Sequence, residues 1–290
     1  MQITSEEYML YKPLLFSLGY RMLGSVVDAE DMMHETFLRV YRMENHGVEN
    51  KKAYLCKTMT NICLDVLKSA RYQREQYIGP WNPEPLMLEH SQEANPSESF
   101  LQKEGLSIAY LRMMEHLTPH ERAVLLLREV FGFSYPEITH ILEKTESNCR
   151  KIFSRSKQKL HAIENESLHY ENNKALVNQF IQAFQVQDLT SLLELITENI
   201  TLYSDGGGKV KAATRPIKTY SNVVTFLSNI VKNVPVDFSF EVKTVNGQPA
   251  LVTHANNNIH SVISFYIIQD KINEIYIIIN PDKLPRPQAL

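Results

Sequence analysis

The chain has 290 residues, 43% of them hydrophobic and 22% charged. That is enough for two or three independent cores and excludes fibrous and disordered classes. A net charge of −3 lacks the basic surplus of a protein that grips nucleic acid unaided, so any DNA-facing surface is local or relies on a partner.

The N-terminal MQITSEEYML has no basic region followed by an apolar stretch, so it does not read as a signal peptide. The most apolar runs, Ser261 to Ile268 and Ile275 to Ile279, are far below the roughly 20 residues a membrane helix needs and read as strands. Cys56, Cys63 and Cys149 have neither metal-ligand spacing nor the even count of a disulfide framework. They are expected to be structural, in a cytoplasmic protein that needs no metal or other cofactor.

Thr4 and Glu7 have capping-box spacing, and Leu10, Leu14, Leu18 and Met22 recur at helical steps until Gly24. A second helix is expected from about Asp28 to Arg42, with Asp28, Glu30 and Asp31 at the positive end of its dipole. A third runs from about Lys52 to Ala70, with Leu55, Met59, Ile62 and Val66 on one face. From Tyr77 to about Pro96, Gly79, four prolines and the polar stretch Glu89 to Glu98 predict a linker. Helical periodicity returns at Phe100 and lasts to about Glu164.

From about Tyr170 the character changes. Two helices carry Leu176, Phe180 and Phe184, then Leu189, Leu192, Leu193 and Ile196, on their apolar faces. A strand around Ile200 to Tyr203 leads to the triplet Gly206, Gly207, Gly208. A helix with Val223, Phe226, Leu227 and Ile230 follows. Val236, Phe238, Phe240 and Val242 then alternate as in a half-buried strand, and Asn246-Gly247 signals a hairpin. Two more strands, joined near Asp270, complete helices followed by an antiparallel sheet, an α+β layout.

The most specific local signal lies between Ser134 and His161. Tyr135 to Leu142 and a helix from Glu146, separated by a turn at Glu143 to Thr145, have helix-turn-helix spacing. The second helix presents Arg150, Lys151, Arg155, Lys157 and Lys159, while Ile152, Phe153 and Leu160 point inward. Ser147, Asn148, Arg150, Lys151, Ser154 and Arg155 are in position to reach base edges or phosphates; the bland alternative is a solvated basic face. Asn61, Asp65, Lys68, Arg71 and Arg74 on the third helix are equally open between a strand-binding surface and an ordinary polar face. The acidic turn near Asp28 has a plain dipole explanation of its own.

The joint arrangement is more telling. GYRMLGSVVDAEDMMHETFLRVYR (Gly19 to Arg42) resembles region two of extracytoplasmic-function sigma factors, the part that docks on core RNA polymerase. KAYLCKTMTNICLDVLKSAR (Lys52 to Arg71) resembles the part that opens and reads the minus-ten element. LTPHERAVLLLREVFGFSYPEITHILEKTESNCRKIFSRSKQKL (Leu117 to Leu160) resembles region four, which reads the minus-thirty-five element. WNPEP (Trp81 to Pro85), DGGGK (Asp205 to Lys209) and NPDKL (Asn280 to Leu284) look like the three signature motifs of the subgroup with a fused SnoaL-like domain. Asn82 departs from that subgroup's usual leucine, and His34 from a common glutamine.

The resemblance implies a multidomain chain: two all-α sigma domains, then an α+β NTF2-like (SnoaL-like) cone. The expected bounds are 1–76 for region two, 77–99 for the linker, 100–165 for region four and 170–290 for the cone. It implies core polymerase contacts by Asp31, His34 and Glu35. It implies DNA contacts by Asn61, Lys68, Arg71, Ser147, Asn148, Arg150, Lys151, Ser154 and Arg155. A regulatory junction would unite Trp81, Pro83, Glu84 and Pro85 with Asp205, Gly206, Gly207, Gly208 and Lys209 and with Asn280, Pro281, Asp282, Lys283 and Leu284. Within it, Asp282 and Lys283 are expected to form exposed pairs with Lys209 and Asp205. The implied partners are core RNA polymerase and promoter DNA, with a small molecule in the cone as a further candidate and no membrane. The function is that of an alternative sigma factor regulated in cis, without catalytic residues. The competing reading is a ligand-sensing or catalytic NTF2-like domain on a DNA-binding regulator, with Asp205, His254 and His260 as candidate bases.

Overall fold

The computed structural model describes residues 3–42, 50–74, 77–87, 106–160, 169–186, 188–232 and 237–285. Expectations for Glu89 to Glu98, the helical start at Phe100 and Val236 lie outside them. The chain divides into two compact units: Met1–Glu75, His90–Leu106 and Tyr110–Glu164 form one, and Gln76–Glu89, Ser107–Ala109 and Asn165–Leu290 the other.

The first unit is helical. Helix α1 (Ser5–Leu23) starts at a complete Thr4–Glu7 capping box and stops at Gly24, whose φ of 70° lets its N–H reach Tyr20 O. Helices α2 (Val26–Arg42) and α3 (Lys51–Arg74) pack on it. A Cβ on Gly19 would lie 2.3 Å from Met59 Cε and 3.2 Å from Ala29 Cα, so glycine there allows the close approach of the three helices. Leu10 departs from the expected stripe and is exposed, because the buried stretch of α1 begins only at Leu14. After α4 (Ile108–Met114), α5 (Pro119–Leu125) runs into a π-helical turn over Leu126–Val130. Helices α6 (Tyr135–Leu142) and α7 (Glu146–Leu160) follow, the former capped by Ser134 and Glu137. Glu143 makes the turn between them in the left-handed region, at φ 52°. Leu18, Met22, Met33 and Met59 share one core with Val124, Leu126 and Ile138.

The second unit is α+β. Helices α8 (Tyr170–Gln185) and α9 (Leu189–Leu195) precede β1 (Ile196–Asp205) and β2 (Ile217–Lys218). Helix α10 (Tyr220–Val231) leads to β3 (Ser239–Val245), β4 (Gln248–Ala255), β5 (Asn258–Ile268) and β6 (Lys271–Ile278). The sheet order is β2-β1-β6-β5-β4-β3. Its pairs are antiparallel except β1 with β6, which are parallel, so the sheet is mixed where the sequence suggested an antiparallel one. Positive φ at Asn246 and Gly247, at Asn256 and Asn257, and at Gln269 and Asp270 marks the three tight hairpins. One sheet face meets the helices through Val177, Phe180, Leu192 and Val223 against Ile200, Leu202 and Ile275. Leu193, expected on the apolar face of α9, is exposed, since Leu192 takes the inward position. The other face, with Tyr266, Tyr276 and Ile278, is covered by Ile108, Ala109 and Leu284.

Candidate functional site

Helix α7 displays the predicted row. Ser147, Asn148, Arg150, Lys151, Ser154 and Arg155 are exposed, while Cys149, Ser156 and Leu160 are buried. The side chains differ in what already holds them. Arg150 is fixed by Glu146 at 2.6 and 3.0 Å and lies 4.2 Å from the Tyr135 ring centroid. Lys157 and Lys159 pair with Glu129 and Glu121 at 3.1 and 2.7 Å. Lys151 and Arg155 form no ion pair among the described residues. Helix α7 therefore offers two unengaged cations beside one arginine pre-oriented on an aromatic ring.

Asp31 and His34 are exposed on α2, and Glu35 is half-exposed, 2.7 Å from Arg39. All three stand on the polar side of a helix whose Ala29, Met33, Phe37 and Val40 are buried. On α3, Asn61 and Lys68 are exposed and Lys68 pairs with Asp65 at 2.9 Å. Arg71 belongs to α3, but its side chain lies outside the described residues.

The two halves of this helical unit are held against each other by polar contacts as well as by their shared core. The Arg122 guanidinium, 3% exposed, donates to Met22 O and, at 2.7 and 3.1 Å, to Met114 O, and pairs with Glu115 at 2.9 Å. Burial lowers its pKa to about 10, so it remains charged at neutral pH. Lys57 on α3 pairs with Glu143, in the turn of the helix-turn-helix, at 2.9 Å. Lys52 lies 5.1 Å from the centroid of the Phe133 ring. Nothing in the local sequence pattern marked Arg122. Beyond its place directly before the apolar run of Ala123 to Leu127, no signal pointed to a buried anchor.

The second unit brings the three short motifs together. The Asp205 carboxylate is fully buried and accepts from Tyr77 Oη (2.6 Å), Asn82 N (2.8 Å), Lys283 Nζ (2.8 Å) and Gly207 N (3.1 Å). Burial, and then Asp205 itself, push the Tyr77 phenol above its ordinary range, so it stays protonated and donates. Lys283 also donates to Asn82 O at 2.6 Å and sits 4.3 Å from the Trp81 ring centroid. Asn280 donates to Tyr77 Oη at 3.0 Å. The Ile279 and Asn280 amides both donate to Asp205 O. Gly207, at φ 60°, leaves no room for a side chain: its Cβ would lie 2.3 Å from Asn280 Nδ2. A Cβ on Gly208 would come within 2.8 Å of Ile78. The linker is anchored further on, where Leu86 N donates to Asn246 Oδ1 and Asn246 N to Leu86 O.

Three sequence expectations change here. Lys209 and Asp282 form the exposed pair, at 2.5 Å, but Lys283 and Asp205 are 13% and 0% exposed, so the second pair is buried. Asn82 is fully buried as a polar group, its amide reaching Ile277 O at 3.3 Å and Tyr203 O at 3.5 Å. Tyr77 and Asn246 belong to the junction although no motif included them. Asn246 was visible only as a turn residue.

The candidate bases of the cone separate in space. Asp205 belongs to the junction, and His254 pairs with Glu241 at 2.9 Å. His260 alone of the three lines the interior cavity, beside Phe238.

Comparison with known proteins agrees with this architecture. Residues 8–72 match the model for Sigma-70 region 2 and residues 107–160 that for Sigma-70, region 4. A probable ECF RNA polymerase sigma factor, SigI of Mycobacterium tuberculosis (strain CDC 1551 / Oshkosh), is 27% identical over 97% of this chain and 94% of its own length. The ECF RNA polymerase sigma factor SigJ of Mycobacterium tuberculosis (strain ATCC 25618 / H37Rv) is 25% identical, covering 96% and 92%. The crystal structure of Mycobacterium tuberculosis SigJ superposes with a TM-score of 0.78 at 23% identity, over 97% of this chain and 98% of the other, so the fold is common to both. With both sigma-70 regions in order ahead of a C-terminal α+β unit, the chain is an alternative sigma factor, similar over nearly its whole length to those of the extracytoplasmic-function group.

Proposed function

We propose that this sigma factor docks on core RNA polymerase through the acidic face of α2 and selects promoters with two separate surfaces, and that its C-terminal unit regulates it in cis. The observation that carries the reading is the capped helix-turn-helix of α6 and α7, with an exposed polar row on α7, in the same chain as the exposed acidic and polar faces of α2 and α3. Asp31, His34 and Glu35 would meet a basic surface of the polymerase, where charge steers and orients docking more than it adds affinity. Asn61, with Lys68 and Arg71, would hold a base flipped from the minus-ten element, offsetting an extrusion cost of a few kcal/mol. Arg150, Lys151 and Arg155 would supply upstream contacts, each good bidentate base contact discriminating by roughly 1–3 kcal/mol. The net charge of −3 suits a factor whose DNA grip is shared with the polymerase.

Co-purification with core polymerase tests the docking face. Replacing Asp31 and Glu35 together by Lys should abolish it while the circular dichroism spectrum is unchanged. Normal binding by that variant would refute the assignment.

Regulation in cis rests on the junction. Trp81 to Pro85, Asp205 to Lys209 and Asn280 to Leu284 act as one latch that sets the path of the linker between the promoter-reading regions. Asp205→Ala should then alter promoter output through the latch and not through any turnover. A substrate whose conversion vanished in this variant would instead favour an enzymatic cone.

A further inference from the structure

The cone encloses a cavity of about 770 Å³, within the roughly 300–1,000 Å³ range of small-molecule sites. Its polarity is divided along its length by the sheet register. Ile275 lies opposite Phe265, and with Phe180, Phe184 and Phe226 they make an aromatic and aliphatic end of the cavity. One inward-facing step along the strands, Ser204 pairs with Ile277, which lies opposite Ile263. A further step brings the facing pair Thr253 and Ser261. The loop that follows the glycine triplet joins this end, since Ala212 Cβ lies 2.7 Å from where a Gly206 Cβ would stand, and Lys211 of that loop lines the cavity.

The groups at the polar end are not all satisfied by the protein. Thr253 and Ser261 bond each other at 2.6 Å. Ser204 is 2% exposed and lines the cavity, yet its hydroxyl has no hydrogen-bond partner among the described residues. Lys211 is exposed at the same cavity and forms no ion pair among the described residues. An apolar chamber whose polar groups are the hydroxyls of Ser204, Thr253 and Ser261, the His260 ring and the exposed Lys211 ammonium is complementary to an amphipathic molecule with an anionic head. We propose that the cavity binds an apolar monocarboxylate, its hydrocarbon body among the phenylalanines and its carboxylate between Ser204 and Lys211. The site does not depend on how promoters are read. It does adjoin the latch: Ser204 precedes Asp205, and Ile279, another cavity residue, precedes Asn280.

The test uses the full chain and cis-parinaric acid, a long-chain carboxylate that fluoresces in apolar surroundings, displaced by dodecanoate or by 1-dodecanol. Saturable binding is expected, with dodecanoate displacing the probe better than the alcohol. Lys211→Met should weaken dodecanoate about tenfold, the loss of one charge-assisted contact, and leave the alcohol unchanged. Ile263→Trp, or the milder Leu251→Phe should the first not fold, should fill the chamber and weaken both. Absence of saturable binding, equal affinity for acid and alcohol, or dodecanoate binding indifferent to Lys211→Met would overturn the proposal.

Discussion

Asp205 gathers four donors, the ammonium of Lys283 among them, around a side chain with no solvent exposure. Its removal strands a cation as well as breaking hydrogen bonds, which for buried pairs costs about 3–5 kcal/mol. Lys209 and Asp282, each more than half exposed, make a pair worth about 0–1 kcal/mol. Urea unfolding of the C-terminal unit in the full chain should thus separate Asp205→Ala from Lys209→Ala by several kcal/mol; equal losses would contradict the geometry. The partners of both pairs were legible in the motifs, because complementary charges stood at matching places in DGGGK and NPDKL. Their burial was not. Asn82 shows why: its amide is satisfied by carbonyls of β1 and β6, which only the finished sheet supplies, so in sequence it read only as a departure from the subgroup's leucine.

Helix starts were the most legible elements, since Thr4–Glu7 states its geometry within four residues. Ser134–Glu137 and Thr118–Glu121 repeat the arrangement. The same boxes make the helical unit acid-sensitive. The Ser134 hydroxyl and amide hold Glu137 below its ordinary value of 4.5. Burial raises Glu121, but Lys159 and Thr118 outweigh it and the net shift is downward. A carboxylate lowered on folding contributes stability above its unfolded pKa and loses it as pH falls through the folded one. Thermal melts followed by helical circular dichroism should therefore weaken below about pH 4.5, and Glu137→Gln should flatten that slope. A melt unchanged by the substitution across this range would refute the role of the cap. On α7, Arg155→Ala should impair selection of the upstream element and Asn61→Ala opening of the downstream one. Permanganate footprinting separates the two, and equal loss in both steps would contradict a division of labour. What the sequence concealed at this scale was the parallel β1–β6 pair, because its partners, such as Tyr203 and Tyr276, are far apart along the chain and no local pattern encodes their direction.

Regions two and four must separate to touch two promoter elements at once, whereas in this structure α1–α3 and α5–α7 share one core, joined by Arg122 and by the Lys57–Glu143 pair. The helical unit is thus in a closed form, and opening it is part of the proposed activity. The native cysteines permit a clean measurement, since all three are buried and burial pushes the Cys56 thiol up to about 12. Dyes on Glu30→Cys and Gln158→Cys, both exposed positions, should report a short distance in the free protein and a longer one with core polymerase and promoter. A distance unchanged by the polymerase would rule out opening. Trimming the chain before Asn280 removes Lys283 and Asn280 from the latch and should raise output from a reporter promoter, while removal of everything from Tyr170 is expected to lower it. Unchanged or reduced output after the short trim would refute a brake. Run-off transcription tests the central claim most directly. The purified chain with core polymerase should yield a discrete transcript from a promoter carrying its two elements, and neither component alone should do so. Core-dependent DNA binding without a transcript, or a transcript indifferent to the chain, would contradict the account.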